Sequence, residues 1–191
     1  CIVFNMEAIK KISLNKAVKV ILIAIIGTLL LTISAKIKIP FYPVPMTMQT
    51  FVVLFLGITL GPKIGLMTVA LYLFEGILGL PVFAGTPEKG IGFIYFTGPT
   101  MGYLIGFLIA TYVAGFFKYD KGIINNFLKL VFSVSFIYLL GMFWLGILIG
   151  WEKPIFKLGA QPFLLAELFK ILLLLIITPN LIKIKKLMKI T

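Results

Sequence analysis

Runs of apolar residues, each ended by proline, glycine or lysine, divide this chain into segments of helical length. A helix needs about 20 apolar residues to cross the hydrocarbon core of a bilayer. The first run has this length, while the second and third are shorter and end at Gly61-Pro62-Lys63 and at Pro81. The pattern predicts an all-α integral membrane protein with six transmembrane helices, at about 17–35, 46–60, 64–80, 99–117, 123–149 and 162–177.

Two irregular stretches separate these segments and predict structured outer loops. Pro40, Pro43 and Pro45 prevent a continuous helix through residues 39–50, because proline lacks a backbone donor and restricts the residue before it. Irregular backbone at membrane depth is tolerated only where protein covers it or where it lines a wet cavity. We therefore expect residues 39–50 to form the wall or lid of a binding site, with the glycine-rich residues 83–92 as a second loop.

The composition supports a membrane protein with one domain. Apolar residues make up 61% of the chain and charged residues 13%, which is too few to cover a soluble globule. We expect a single domain over residues 1–191, with a cytoplasmic segment at 1–16, a membrane core at 17–180 and a lysine-rich cytoplasmic tail at 181–191. Cys1 precedes Met6, which leaves the true first residue open.

The net charge of +12 comes from lysine, since the chain has no arginine. These lysines lie at the ends of apolar segments, so they indicate topology and not nucleic-acid binding. A cytoplasmic amino terminus puts twelve of them inside: Lys10, Lys11, Lys16, Lys19, Lys63, Lys118, Lys121, Lys129, Lys183, Lys185, Lys186 and Lys189. Five lie outside: Lys36, Lys38, Lys89, Lys153 and Lys157. The positive-inside rule thus predicts a multi-pass protein of the cell membrane with both termini in the cytoplasm.

The residue types for most enzyme chemistry are missing. The chain has one cysteine and no histidine, so neither a metal site nor a cofactor is expected. No phosphate-binding loop of the P-loop pattern occurs, and no nucleophile has a histidine base beside it. We expect a protein that is not an enzyme.

Polar side chains within the apolar segments are the remaining candidates for a site, since ionisable groups are costly inside a membrane. Glu167 and Lys170 lie three residues apart and share a helix face, while Glu75 interrupts the third segment. Gln49 begins the second segment, where a buried amide needs a partner. The alternatives are that the pair only neutralises its charges, that Glu75 reaches water, and that nearby aromatic residues form an interfacial belt.

Several motifs, in this order and spacing, resemble the BioY family of substrate-capture subunits, which bind biotin for energy-coupling-factor transporters. The resemblance covers most of the chain. Besides Glu167 and Lys170, it rests on Lys38-Ile39-Pro40, on residues 43–50, on Leu60-Gly61-Pro62-Lys63 with Gly65, on residues 79–85, and on Gly98-Pro99-Thr100 with Gly102-Tyr103-Leu104.

The resemblance implies six helices, an outer pocket closed by the first and third loops, and as partners a transmembrane coupling subunit and two ATP-binding-cassette ATPases. Glu167 and Lys170 match the family's acid and lysine on the last helix, although aspartate is usual at position 167. We expect Glu167 to accept a hydrogen bond from the ureido ring of biotin and Lys170 or Gln49 to donate one. The other expected site residues are Glu75, Lys89, Tyr42, Phe83 and Tyr103.

The family's first helix carries small residues that dock on the coupling subunit, and Ala24, Gly27 and Thr28 partly match that pattern. Two alternatives to biotin capture remain from the sequence alone. One is capture of another vitamin, such as thiamine or riboflavin, and the other is a structural role in membrane assembly.

Overall fold

The computed structural model describes residues 2–40, 42–88, 90–119 and 122–188, with side chains for 17–40, 42–88, 90–119 and 122–187. This part of the chain is almost entirely helical, which confirms the predicted all-α class. Its elements are α1 (Ile2–Lys36), β1 (Lys38–Ile39), β2 (Met46–Thr47), α2 (Gln49–Ile77), a 3₁₀ helix (Gly92–Thr97), α3 (Met101–Phe116), α4 (Ile123–Ile149), α5 (Ile155–Gly159), a second 3₁₀ helix (Gln161–Phe163) and α6 (Leu164–Met188).

Four helical stretches in the described residues are long and apolar enough to cross a membrane. They are Ala17–Lys36, Gln49–Ile77, Ile123–Ile149 and Ile155–Leu187, and the apolar helix Met101–Phe116 is shorter. The sequence predicted six spans because it divided residues 46–80 into two spans and placed another at 99–117. In the structure, residues 49–77 form a single helix, α2, which changes direction within its length.

The helix α2 reverses at Gly61, which has φ 77° and ψ 178° and is followed by Pro62. In one straight helix, Gln49 and Tyr72 would lie about 35 Å apart. Their side chains are instead hydrogen-bonded, Gln49 Nε2 to Tyr72 Oη at 2.8 Å. The halves 49–60 and 62–77 are therefore antiparallel, and the predicted break at Gly61-Pro62-Lys63 is correct.

The loops over residues 37–48, 78–100 and 150–163 gather at one end of the molecule. The strands β1 and β2 form a small antiparallel hairpin in which Lys38 lies opposite Thr47. Contacts between chain segments far apart in sequence join the other loops to it or to each other: Lys36 to Thr86, Trp144 to Gly98, Tyr103 to Gly159 and Lys170 to Thr47. This end is called the loop end below.

The inner face of α1 packs against α2 through small residues. Ala24 and Thr28 are 8% and 2% exposed, and a Cβ atom added at Gly27 would lie 2.4 Å from Thr68 Cγ2. The three residues predicted to dock on a partner pack against the chain's own second helix. Small residues allow close helix approach within one chain as well as between chains, and docking through these residues stays a prediction.

We expect Gly61→Ala to destabilise the protein, because φ 77° with ψ 178° is a conformation that essentially only glycine adopts. The expected loss is about 1–3 kcal/mol in the free energy of unfolding. Thermal unfolding of the purified protein in detergent measures it. Gly122→Ala is the control, since its φ is −29° and an added Cβ meets nothing within 4 Å. Equal unfolding midpoints for the two variants would contradict the reversal at Gly61.

Candidate binding site

A small cavity with an internal volume of about 50 Å³ lies at the loop end, between the hairpin and helices α2, α3, α4 and α6. Apolar and aromatic side chains form most of its wall, with a few polar groups among them. The lining residues are Val44, Pro45, Met46, Thr47, Gln49, Thr50, Ala84, Tyr95, Thr100, Tyr103, Leu104, Phe107, Ile137, Tyr138, Phe163 and Lys170.

The ammonium group of Lys170 is the positive charge in this wall. It donates to the Thr47 carbonyl oxygen at 2.8 Å and to Thr50 Oγ1 at 2.9 Å, and it lies 3.3 Å from Glu167 Oε2. Lys170 is 7% exposed and Glu167 4% exposed, so the two charges are buried together. A buried charge is stable only when it is paired and hydrogen-bonded. These contacts provide both and tie α6 to the hairpin and to the start of α2.

The carboxylate of Glu167 uses one oxygen for these contacts. Glu167 Oε2 accepts hydrogen bonds from Thr50 Oγ1 at 3.0 Å and from Tyr138 Oη at 2.9 Å, besides its contact with Lys170. Glu167 Oε1 is buried and accepts no hydrogen bond from the part of the chain that the structure describes. A buried acceptor without a donor costs about 1–3 kcal/mol. Glu167 Oε1 is therefore suited to accept a hydrogen bond from a ligand.

A second groove borders the cavity between α4, α5 and α6. Its lining is almost wholly apolar and includes Glu167 as well as Tyr138, which also lines the cavity. Glu167 does not itself line the cavity but lies beside it, next to Tyr138 and Lys170. The acid therefore fixes the position of three cavity groups, those of Thr50, Tyr138 and Lys170.

The amide of Gln49 lies at the first turn of α2 and is hydrogen-bonded through both its oxygen and its nitrogen. Gln49 Oε1 accepts from Thr47 Oγ1 at 3.3 Å, and Nε2 donates to Tyr72 Oη. Tyr72 Oη in turn donates to the Val82 carbonyl oxygen at 3.0 Å. This chain of hydrogen bonds joins both halves of α2 to the loop over residues 78–100, and it places Gln49 in the cavity wall as predicted.

Aromatic side chains form the sides of the cavity and are themselves anchored. Tyr103 Oη donates to the Gly159 carbonyl oxygen at 2.7 Å, and Tyr95 Oη donates to the Ala84 carbonyl oxygen at 2.7 Å. Burial raises the pKa of Tyr95, opposed by a hydrogen bond to the Thr100 side chain, so its hydroxyl stays protonated and remains a donor. These hydrogen bonds hold the two tyrosine rings in the cavity wall.

Three other predicted site residues, Tyr42, Glu75 and Phe83, do not line the cavity. Tyr42 is 92% exposed and Glu75 is half-buried on α2. Phe83 is 1% exposed and packs behind the wall against the rings of Tyr72, Tyr95 and Phe96. Lys89 lies outside the described residues.

Sequence reasoning missed two hydroxyl groups at the centre of the site, those of Thr50 and Tyr138. Thr50 was within a recognised motif, directly after Gln49, and its position one helical turn after Thr47 could have indicated a polar face. Tyr138 gave no such signal, because tyrosines in apolar segments are usually interfacial. Among the described residues, no three His, Cys, Asp or Glu side chains lie close enough to hold a metal ion.

The family model of the BioY family matches residues 6–187 of this chain. The chain is 38% identical to a probable biotin transporter BioY of Pyrococcus horikoshii over 155 residues, which cover 81% of this chain and 90% of the relative. It is 36% identical to the biotin transporter BioY of Thermotoga maritima over 161 residues, covering 84% and 94%.

A solved structure has a similar fold. The 2.1 Å crystal structure of the S-component for biotin from an ECF-type ABC transporter aligns with a TM-score of 0.73 and 26% identity, covering 88% of this chain and 93% of that one. Helices long and apolar enough to cross a membrane, together with the family match over nearly the whole length, make this chain a multi-pass membrane protein. The chain belongs to the BioY family.

Proposed function

We propose that this protein captures biotin at the outer face of the cell membrane and delivers it as the substrate-binding subunit of an energy-coupling-factor transporter. The observation that carries the proposal is the cavity at the loop end, which combines anchored aromatic walls with one buried, hydrogen-bonded ammonium group. The names of the relatives and of the structural neighbour support biotin as the ligand. As a transporter subunit, the chain binds its ligand without transforming it.

Biotin has a ureido ring with two N–H donors and one carbonyl acceptor, an apolar thioether ring, and an aliphatic chain that ends in a carboxylate. Glu167 Oε1 is the acceptor for a ureido N–H, since it is buried and receives no donor from the described chain. Lys170 Nζ and Gln49 Nε2 are the proposed donors to ligand oxygen atoms, since both residues line the cavity. Tyr103, with Phe107 and Phe163, covers the ring system.

The proposed topology has six crossings, with α1, the two halves of α2, α3, α4 and α6 each crossing once. The gathering of the loops at one end supports it, because an even number of alternating helices returns both termini to the other side. The halves of α2 are about 18 Å and 24 Å long. Such short segments fit a protein whose pocket begins below the membrane surface.

The coupling subunit and two ATP-binding-cassette ATPases are proposed partners, on the strength of the likeness to an ECF-type S-component. Docking through Ala24, Gly27 and Thr28 is part of the proposal, and it requires these residues, which pack against α2, to become accessible to the coupling subunit.

Equilibrium binding to the purified protein tests the choice of ligand. We expect labelled biotin to bind and to be displaced by unlabelled biotin, while thiamine and riboflavin do not compete. Biotin methyl ester separates the carboxylate's contribution from that of the ring. Competition by thiamine or riboflavin with no effect of biotin would favour the second vitamin class, and failure to retain any of the three would favour a structural membrane protein.

We expect Lys170→Ala to weaken biotin binding roughly 10- to 150-fold, because a hydrogen bond to a charged group contributes about 1.5–3 kcal/mol. Glu167→Gln and Glu167→Leu should also weaken binding, the leucine variant more, since only glutamine retains a hydrogen-bonding group. Glu75→Gln is the control and should leave the Kd unchanged, because Glu75 lines neither the cavity nor the adjoining groove that Glu167 lines. Unchanged affinity in the variants at both Glu167 and Lys170 would eliminate the proposed site.

Cysteine labelling tests the six crossings. In a Cys1→Ser background, Lys153→Cys and Lys118→Cys place single thiols at exposed positions on the two proposed sides. A membrane-impermeant maleimide applied to intact cells should modify Lys153→Cys, whereas Lys118→Cys should react only after permeabilisation. Modification of both in intact cells, or the reverse pattern, would rule out the proposed topology.

A further inference from the structure

Lys36, the last residue of α1, reaches across to the loop that follows α2. Its ammonium nitrogen Nζ donates to the Phe83 carbonyl oxygen, to the Thr86 carbonyl oxygen and to Thr86 Oγ1, each at 3.1 Å. An ammonium group has three N–H donors, and three acceptors converge on this one. All three belong to a single turn, residues 83–86, which Thr86 Oγ1 closes by donating to the Phe83 carbonyl oxygen at 2.7 Å.

The turn 83–86 is part of the cavity wall. Ala84 lines the cavity, and its carbonyl oxygen accepts from the Tyr95 hydroxyl, another lining group. On one side of Ala84, the ring of Phe83 lies directly against Gly76, where an added Cβ would be 2.0 Å from the ring. The turn is thus seated by Phe83 on α2 and held by Lys36 from α1.

The end of α1 also leads directly into the other loop beside the cavity, the hairpin of β1 and β2. Two residues after Lys36, β1 begins at Lys38 and pairs with β2, where the Thr47 carbonyl oxygen accepts from Lys170. The hairpin and the turn 83–86 therefore meet at the end of α1. Only the turn depends on Lys36 for its attachment, since the hairpin has its own ladder and its own bond to Lys170.

Lys36 does not line the cavity, and it touches none of the polar groups proposed to meet the ligand. Its hydrogen bonds are charge-assisted, which makes them stronger than neutral ones. Two of the three are accepted by backbone carbonyl oxygens, so they hold the backbone of the turn in place beside the cavity. Removing them weakens the attachment of the turn to α1 without removing any polar group proposed to meet the ligand.

We propose that Lys36 is a latch, a positioning residue that holds the turn 83–86 over the occupied cavity and so sets the rate at which the ligand leaves. The inference rests on the proposed function, because it takes biotin as the ligand. It assigns to Lys36 a role in ligand release that is separate from the lysine's contribution to topology.

Dissociation kinetics of labelled biotin from the purified protein, chased with unlabelled biotin, test the latch. Lys36→Met should raise the dissociation rate about three- to tenfold while leaving the association rate within twofold. Lys36→Arg should restore most of the slow release, because a guanidinium group also donates several hydrogen bonds. Lys38→Met is the matched control, with the same change of charge two residues away, and it should release biotin at the wild-type rate.

The outcomes separate this inference from the proposed function. If the wild-type protein binds biotin and Lys36→Met releases it at the wild-type rate, the latch is overturned and the proposed function remains. Equal acceleration in Lys36→Met and Lys38→Met would also overturn it, since charge alone would then be the cause. So would a lowered unfolding midpoint with both rate constants changed in Lys36→Met. No biotin binding by wild type would overturn both proposals.

Discussion

The buried ammonium group of Lys170 is the interaction on which the site depends. It joins three parts of the chain, since the Thr47 carbonyl oxygen belongs to the hairpin, Thr50 to the start of α2 and Glu167 to α6. A charge buried this deeply requires such partners, because its transfer from water is costly. For the same reason, Thr47 and Thr50 lie beside Lys170 in the wall of a cavity that is otherwise mostly apolar and aromatic.

The reversal of α2 at Gly61 allows this arrangement. It brings Tyr72 back beside Gln49 and thereby links the start of α2 to the loop over residues 78–100. The two loops that flank the cavity are then attached at separate points, the hairpin through Lys170 and the turn 83–86 through Lys36. A ligand in the cavity would be covered by chain that is fixed at few positions and could open locally.

The sequence predicted the helical segments and the break at Gly61 because proline, glycine and lysine interrupt apolar runs there. It also predicted the Glu167–Lys170 pair, since charges three residues apart in an apolar helix must share a face and must be neutralised. Tyr42 is exposed and does not line the cavity, since flanking prolines restrict the backbone but do not determine which way a ring points. Thr50, Tyr138 and Lys36 required the fold, since their partners lie 29 to 120 residues away in the chain.

An experimental structure of the protein with biotin bound tests the central claim most directly. The account predicts biotin within the cavity at the loop end, with a ligand oxygen within about 3.2 Å of Lys170 Nζ and a ureido nitrogen at similar distance from Glu167 Oε1. Biotin bound outside that cavity, with Lys170 and Glu167 contacting only the protein, would contradict it.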